Sequence, residues 1–201
     1  MKTTERRRLL WPVLLLPLAA CSGLRSNAPV TQIYLLQPQP AVAAAAVVVP
    51  TATLAVVLPV VAPGLDSDRI SLVHADGRLD SYAGSRWPDA LSLVLQPILI
   101  DALRTGGRYR TVQSDAMPFN AEYLLQVEVR QFAIEYDAAE NPVAAVSLVC
   151  TLGRRADRTP VRSFSITTAV AASANRMGAV VNAYNQAVGK ALQELVTQAI
   201  P

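Results

Sequence analysis

Three runs of alternating apolar and polar residues, close together in the C-terminal half, most constrain the fold of this chain. The first run places Leu125, Val127 and Val129 on one side, and the others span Val143 to Leu152 and Arg162 to Val170. A period of two is typical of strands with one buried face. Strands that follow one another in a block predict a mainly antiparallel sheet.

The first run changes phase in its middle. Phe132, Ile134 and Tyr136 continue the apolar series on positions of opposite parity to Val127 and Val129. A one-residue slip would turn every later apolar side chain to the other face of the sheet. The sequence therefore predicts a β-bulge near Arg130-Gln131.

Two segments have helical periodicity instead. One follows Trp87, has Pro88 in its first turn and ends at Gly106-Gly107, with Pro97 expected to kink or split it. The other runs from about Asn175 to Ala199 and turns Asn182, Gln186, Lys190 and Gln193 to solvent. Its apolar stripe is Met177, Val180, Val181, Tyr184, Val188, Leu192, Leu195 and Val196.

The N-terminal half predicts shorter strands. These are Gln32 to Leu36, Thr53 to Leu58, and a hairpin of Arg69 to His74 with Leu79 to Tyr82 around the turn Asp76-Gly77. The uncharged stretch from Ala41 to Ala62 is long enough to span a membrane, but Pro50 and Pro59 interrupt it and favour a loop and short strands. We therefore expect one α+β domain over 32–200, a mainly antiparallel sheet with two principal helices packed on it.

The first 20 residues predict a lipoprotein signal peptide. Lys2 and Arg6 to Arg8 precede an apolar stretch, Leu9 to Leu18, which is too short to span a bilayer. Leu18-Ala19-Ala20-Cys21 then matches the bacterial lipoprotein box. Cys21 is the expected lipid attachment site, as the acceptor of N-acyl diacylglycerol; the alternative is an ordinary signal peptide that contains a cysteine.

Residues 21–31 would then form a tether that anchors the domain to the membrane. Ser22 follows the lipidated cysteine, and in the lipoproteins that this segment resembles, Asp at that position favours retention in the inner membrane. The sequence thus predicts export to the periplasmic face of the outer membrane.

The basic character of the chain belongs to its leader. Four of the 18 basic residues and one of the 15 acidic residues precede Cys21, which leaves 14 of each. A balanced charge gives no reason to expect nucleic acid as a partner.

Few residues suit catalysis or cofactor binding, so we do not expect an enzyme. The single histidine, His74, adjoins a hairpin turn, and no metal-ligand spacing or glycine-rich phosphate loop is present. Asp66 and Asp68 suggest calcium only weakly, because no twelve-residue ligand loop follows them. Cys150 lies on the apolar phase of its strand, which favours a small core residue over a reactive thiol or a disulfide.

Several motifs together resemble one family, the ABC-type transport auxiliary lipoproteins, of which paraquat-inducible protein C is the familiar member. The resemblance covers about Thr31 to Val196. Its most specific element is the segment from Asp80 to Trp87, after the lipoprotein box. Weaker elements are Leu95-Gln96, Arg108-Tyr109-Arg110, Val127-Glu128-Val129, Phe132 and Ala183-Tyr184-Asn185-Gln186-Ala187.

This resemblance implies a function as an accessory of an MCE-type ABC lipid transport system, with no ATP site of its own. The implied partners are an MCE-domain periplasmic protein together with an ABC permease and an ATPase; self-association is a further possibility. The alternative is a structural envelope lipoprotein that assists outer-membrane assembly without a transporter.

Tyr82, Arg86 and Trp87 are the candidate partner-binding residues. Two large amphipathic side chains and a guanidinium are the composition enriched in interface hot spots. The competing interpretation is that Tyr82 and Trp87 fill the junction between sheet and helix while Arg86 neutralises Asp80 or Asp89.

Overall fold

The three alternating runs form an antiparallel meander of long strands. In the computed structural model, which describes residues 30–39, 51–117 and 119–200, these strands are β7 (Tyr123–Tyr136), β8 (Pro142–Arg154) and β9 (Thr159–Ala171). β8 pairs along its whole length with β7 on one side and with β9 on the other. The signal peptide, Cys21, the tether up to residue 29, and residues 40–50 lie outside the described residues.

The phase change in β7 is a β-bulge, as predicted. Val129 pairs with Leu148 and Gln131 pairs with Ser147, so Arg130 is the extra residue. The bulge turns Phe132 to the same side as Val127 and Val129, where its side chain is 2% exposed. The sequence pattern located this irregularity because a bulge is the way a strand can change phase without exposing its core face.

Short strands line the other edge of β7 and make the sheet mixed. β2 (Thr53–Val56), β3 (Val60–Val61) and β4 (Arg69–Val73) each pair in parallel with a successive part of β7. β6 (Thr111–Ser114) extends the sheet beyond β2. Beyond β4 lie its antiparallel partner β5 (Leu79–Arg86) and then β1 (Gln32–Ile33), which pairs in parallel with β5.

Two helices cover one face of this sheet. α1 (Leu91–Thr105) packs over β2, β3 and β6, and α2 (Met177–Gln198) packs over β8 and β9. The predicted stripe of α2 is the buried one, with Tyr184 and Leu195 fully enclosed. Leu95 of α1 and Leu192 of α2 meet above Val127 and Leu148, so the core lies between the helices and the long strands.

The α+β prediction is confirmed, with corrections in detail. The antiparallel ladders of the meander are the longest, but the short N-terminal strands add parallel pairings that the sequence did not predict. Pro97 does not split α1, and it lies exposed inside the continuous helix. Proline there removes only one backbone donor, and exposure lets water bond the carbonyl that loses its partner.

The remaining sequence-based predictions concern single features. Gly106 and Gly107 end α1, with the Gly106 N–H bonded to the Ala102 carbonyl at 2.9 Å. Cys150 is a fully buried free thiol in β8. Neither helix in the described part of the chain has the length and apolarity needed to cross a membrane.

Candidate functional site

The segment that carries the candidate residues is a bulged end of β5. Arg69 of β4 pairs with Arg86, whereas Ser71 pairs with Ser81, so the intervening part of β5 contains extra residues that β4 does not match. Gly84 lies in this part with a φ of +65°, a conformation that glycine adopts without strain. The bulge separates Tyr82 from the residues that end the strand.

Trp87 lies inside the core. It is 1% exposed, and its ring meets Phe132 and Tyr184 edge to face at centroid distances of 6.3 and 5.4 Å. Its backbone N–H donates to the carbonyl of Asp68 at 2.7 Å. Trp87 therefore joins the end of β5 to the region beneath α2, and a partner protein cannot touch its ring directly.

Arg86 points outward and pairs with a carboxylate that the sequence did not suggest. Its Nη1 lies 3.4 Å from Oδ2 of Asp68, and about half of each side chain is exposed. The expected partners have other contacts: Asp80 lies 3.5 Å from Nε2 of His74, and Asp89 accepts the N–H of Ala90. An exposed pair of this kind stabilises a fold only slightly, which leaves the guanidinium available for a partner.

Tyr82 is intermediate in exposure between the buried Trp87 and the exposed Arg86. Its side chain is half-buried beside Tyr136 and Tyr184, and burial raises its pKa, with the neighbouring Tyr136 phenol raising it further. Within the described residues its hydroxyl has no hydrogen-bond partner. Tyr82 therefore stays a neutral phenol at physiological pH, and its hydroxyl oxygen is itself buried, so a partner protein cannot reach that atom.

Asp66 has a role that sequence reasoning missed. Ala90 is the N-cap residue of α1, and its methyl side chain cannot accept a hydrogen bond from the first turn of the helix. Instead the carboxylate of Asp66 accepts the N–H of Ser92 at 3.0 Å and its hydroxyl at 3.2 Å. A carboxylate at a helix N-terminus satisfies an unpaired donor and complements the helix dipole. The sequence did show Asp66 and Asp68 as an acidic pair, but it did not show their partners. Asp66 caps α1, and Asp68 pairs with Arg86.

No group of three or more candidate metal ligands occurs among residues 30–39, 51–117 and 119–200. The acidic residues of the site have protein partners, as Asp66 and Asp68 show.

The accessible part of the site combines β5 with β1. Ile33 is the register partner of Arg86, and the N–H of Tyr34 donates to the Arg86 carbonyl at 2.9 Å. Ile33 is 59% exposed and Leu35 is 55% exposed. We call Ile33, Leu35 and Arg86 the β1–β5 edge. Two exposed apolar side chains beside a guanidinium are a composition suited to protein recognition.

Together these features define the class of the protein. It is an α+β domain in which two helices cover one face of a mixed sheet, with a β1–β5 edge close to the first of the described residues. The sequence matches, over residues 34–196, the family described as the ABC-type transport auxiliary lipoprotein component. The chain belongs to this family.

Solved structures share the fold. Protein XCC0632 from Xanthomonas campestris, assigned to the DUF330 family, is 27% identical with a TM-score of 0.71, covering 82% of this chain and 92% of that one. A crystal structure of an uncharacterized protein is 13% identical with a TM-score of 0.66, covering 84% and 98%. No significant match was found among curated proteins.

Family membership settles the coarse function. The chain is a lipoprotein accessory of ABC-type transport, and its family is an auxiliary component of transport, not a catalyst. The family is accordingly one of membrane-anchored proteins of the periplasm. Whether Tyr82, Arg86 and Trp87 bind a partner stays a prediction, although burial restricts Trp87 to a supporting role.

Proposed function

We propose that this protein is anchored to the periplasmic face of the outer membrane and serves an MCE-type ABC lipid transport system. The family match over residues 34–196 carries this proposal, because it covers the whole described fold except its edges. In this role the chain holds the MCE-domain protein close to the outer membrane, while a permease and an ATPase in the inner membrane drive transport.

The anchor would be the N-acyl diacylglycerol on Cys21. Several acyl chains hold a protein stably on a membrane, whereas one chain gives only reversible binding. The residues between Cys21 and β1 reach at most about 35 Å when extended. The tether therefore limits how far β1 can move from the membrane surface, and Ser22 supports the outer membrane as that surface.

The partner would bind at the β1–β5 edge. This edge begins where the tether ends, since Gln32 and Ile33 are the first paired residues of the domain. Arg86 contributes a planar donor fork that suits a carboxylate on the partner. Ile33 and Leu35 contribute apolar area that is exposed in the isolated chain.

Site-specific photo-cross-linking in intact cells tests this function. A photoreactive amino acid at Ile33 or Arg86 should give an adduct with an MCE-domain protein. The same probe at Gln193, exposed on α2, serves as the control for random encounter. Adducts with outer-membrane assembly subunits would support a structural envelope lipoprotein instead. Equal adducts from all three positions would refute docking at this edge.

The anchor has its own test. Cys21→Ser should leave the protein unprocessed or soluble, with no label from a palmitate analogue supplied to cells. Separation of inner from outer membranes then locates the wild-type protein. Equal labelling of wild type and variant would refute lipidation at Cys21, and recovery of the wild type in the inner membrane would refute the outer-membrane part.

A further inference from the structure

The sheet face opposite the helices contains an arginine-lined recess at one end. It has a volume of about 540 Å³. Its floor is formed by Leu124 and Gln126 of β7 and by Thr151 and Gly153 of β8. We call it the arginine recess, after the three arginines on its β8–β9 side: Arg154, Arg155 and Arg158.

The charges around the recess are unbalanced toward positive. Arg154 forms an ion pair with Asp157, with Nη1 3.0 Å from Oδ2. In the described part of the chain, no carboxylate lies within 4.0 Å of the guanidinium of Arg155 or Arg158. Arg155 and Arg158 therefore line an open volume without a carboxylate partner among the described residues.

One carboxylate lies on the opposite wall. Asp115 lines the recess, but one of its carboxylate oxygens, Oδ1, already accepts hydrogen bonds from Gln96 Nε2 at 3.3 Å and from Ser114 Oγ at 3.4 Å. These bonds hold Asp115, which directly follows β6, on that wall. It lowers the net positive charge of the recess without pairing with the arginines.

Arg158 lies in a turn with a strained backbone. Arg158 has a φ of 56°, in the left-handed region where residues other than glycine are strained. The turn is held by Asp157, whose carboxylate accepts the N–H of Thr159 at 3.1 Å and bonds Arg154. Glycine would form this turn at lower cost.

The floor of the recess beside the arginines is partly apolar, and at Gly153 no side chain fills it. Gly153 has no side chain, and a Cβ there would make only ordinary contacts, the nearest at 3.5 Å from the Thr159 carbonyl oxygen. Val57 and Leu124 line the same recess. A molecule seated on this floor would thus meet guanidinium groups at one side and apolar side chains at the other.

We propose that the arginine recess binds the phosphate group of a phospholipid headgroup, with Arg155 and Arg158 as its ligands. Guanidinium groups bind phosphate through paired, charge-assisted hydrogen bonds. Val57 and Leu124 would contact the glycerol and the first carbons of the acyl chains. The phosphate part of this proposal rests on the arginines alone, whereas the lipid part rests on the proposed transport function.

Titration calorimetry on the lipidated chain in a neutral detergent tests the proposal. The probes are dihexanoyl phosphatidic acid, dihexanoylglycerol and inorganic phosphate. Dihexanoyl phosphatidic acid should bind, dihexanoylglycerol should not, and inorganic phosphate should bind at least tenfold more weakly than the lipid, a difference of about 1.4 kcal/mol. Equal affinity for lipid and inorganic phosphate would overturn the lipid part and leave the transport function standing.

Variants locate the site. Arg155→Ala combined with Arg158→Gly should weaken binding of dihexanoyl phosphatidic acid at least tenfold, while the melting temperature stays equal or rises because glycine relieves the strain at position 158. Gly153→Leu should also weaken binding by filling the floor. Unchanged affinity in the double variant would overturn the proposal.

Matched controls exclude general effects of charge and strain. Arg162→Ala removes an exposed arginine of β9 that does not line the recess, and should leave the affinity unchanged. Glu140→Gly relieves the same backbone conformation, with a φ of 59°, at the β7–β8 turn. It should raise the melting temperature without altering binding.

A protein ligand is the competing outcome. A hexaglutamate peptide that binds as tightly as dihexanoyl phosphatidic acid, and that is lost in the same double variant, would show that the recess takes an acidic protein segment and would overturn the phosphate proposal. The cross-linking at the β1–β5 edge is independent of these measurements, so failure here is distinguishable from failure of the proposed function.

Discussion

The rings of Trp87 and Tyr184 meet edge to face, with centroids 5.4 Å apart and planes at 82°. Phe132 stacks on Tyr184 at 4.8 Å and completes an aromatic cluster in the core. The β-bulge in β7 is what turns Phe132 into this cluster, and the bulged end of β5 delivers Trp87 to it. Two strand irregularities thus meet under α2, and the candidate binding residue Arg86 adjoins that junction.

Removing the Trp87 ring should therefore destabilise the whole domain. Trp87→Ala is expected to lower the free energy of unfolding by about 3–5 kcal/mol, because the cavity in a rigid core stays largely unfilled. Trp87→Phe keeps a ring and should cost less. Urea denaturation of both variants measures the difference. A loss below about 1 kcal/mol for Trp87→Ala would contradict the packing described here.

Arg86→Ala should separate binding from stability. Its exposed ion pair with Asp68 contributes about 0–1 kcal/mol to the free energy of unfolding, so the melting temperature of the variant should stay close to that of the wild type. Capture of the MCE-domain protein from cross-linked membranes should fall.

Asp68→Ala is the matched variant for this test, because it removes the same ion pair and leaves the guanidinium in place. It should retain capture. If Asp68→Ala reduced capture as much as Arg86→Ala, the ion pair rather than the guanidinium would be the feature that matters. If neither variant changed capture, Arg86 would not belong to the interface.

Asp66→Ala should cost about 1–2 kcal/mol of stability, because α1 loses the acceptor for the Ser92 N–H. Asp66→Asn keeps one oxygen and should cost less. Asp101→Ala removes a carboxylate from the exposed side of the same helix and should change the free energy of unfolding by under about 0.5 kcal/mol. Equal losses for Asp66→Ala and Asp101→Ala would contradict the capping role.

The ends of the two helices meet at Gly106 and Val196. A Cβ at position 106 would collide with the Val196 side chain, although Gly106 itself has an ordinary helical φ of −63°. Gly106→Ala should therefore lower stability by about 1–3 kcal/mol through overpacking alone. Adding Val196→Ala should recover part of that loss, as a coupling of about 0.5–3 kcal/mol in a double-mutant cycle.

Gly107 provides the control for this cycle. Its φ is +63° and a Cβ there would meet only the Thr105 carbonyl oxygen, at 4.0 Å, so Gly107→Ala should cost about 1–2 kcal/mol through backbone strain. That cost should add to the cost of Val196→Ala without coupling. Coupling of equal size at both glycines would show that the helix ends respond as a unit and not through one contact.

Periodic patterns made much of this fold predictable. The stripe of α2 and the alternating runs of β7 to β9 each extend over many residues, so their periodicity is distinguishable from chance. The bulge at Arg130 was predictable because a long alternating run lies on each side of it. β3 and β6 span two and four residues and carry no such pattern, which is why the sequence did not predict the parallel pairings they form.

The candidate site was predictable only as a segment. Its chemistry depends on contacts between residues distant in sequence, such as Asp68 with Arg86 and Asp66 with Ser92, separated by 18 and 26 positions. Nor does adjacency imply a shared environment: Arg86 and Trp87 are neighbours in sequence, yet one is exposed and the other is enclosed in the core. Strand alternation turns consecutive side chains to opposite faces.

Cys150 gives a prediction with a pH dependence. Burial, together with the smaller effect of the charge of Glu194, raises the pKa of its thiol from an ordinary value of 9.0 to about 12. The thiol therefore stays protonated in the folded state where the unfolded chain already ionises. Its contribution to stability is complete below about pH 9 and is lost as the pH rises from about 9 towards 12.

Thiol labelling measures this directly. At pH 8 the folded protein should not react at Cys150 with a disulfide reagent, because the thiolate is the reactive species and the sulfur is enclosed in the core. Labelling should follow the rate of global unfolding and accelerate as the pH rises above about 9. Ser165→Cys, exposed on the adjoining strand β9 opposite Val149, should label at once under the same conditions. Equally fast labelling of Cys150 in the folded wild type would contradict its place in the core.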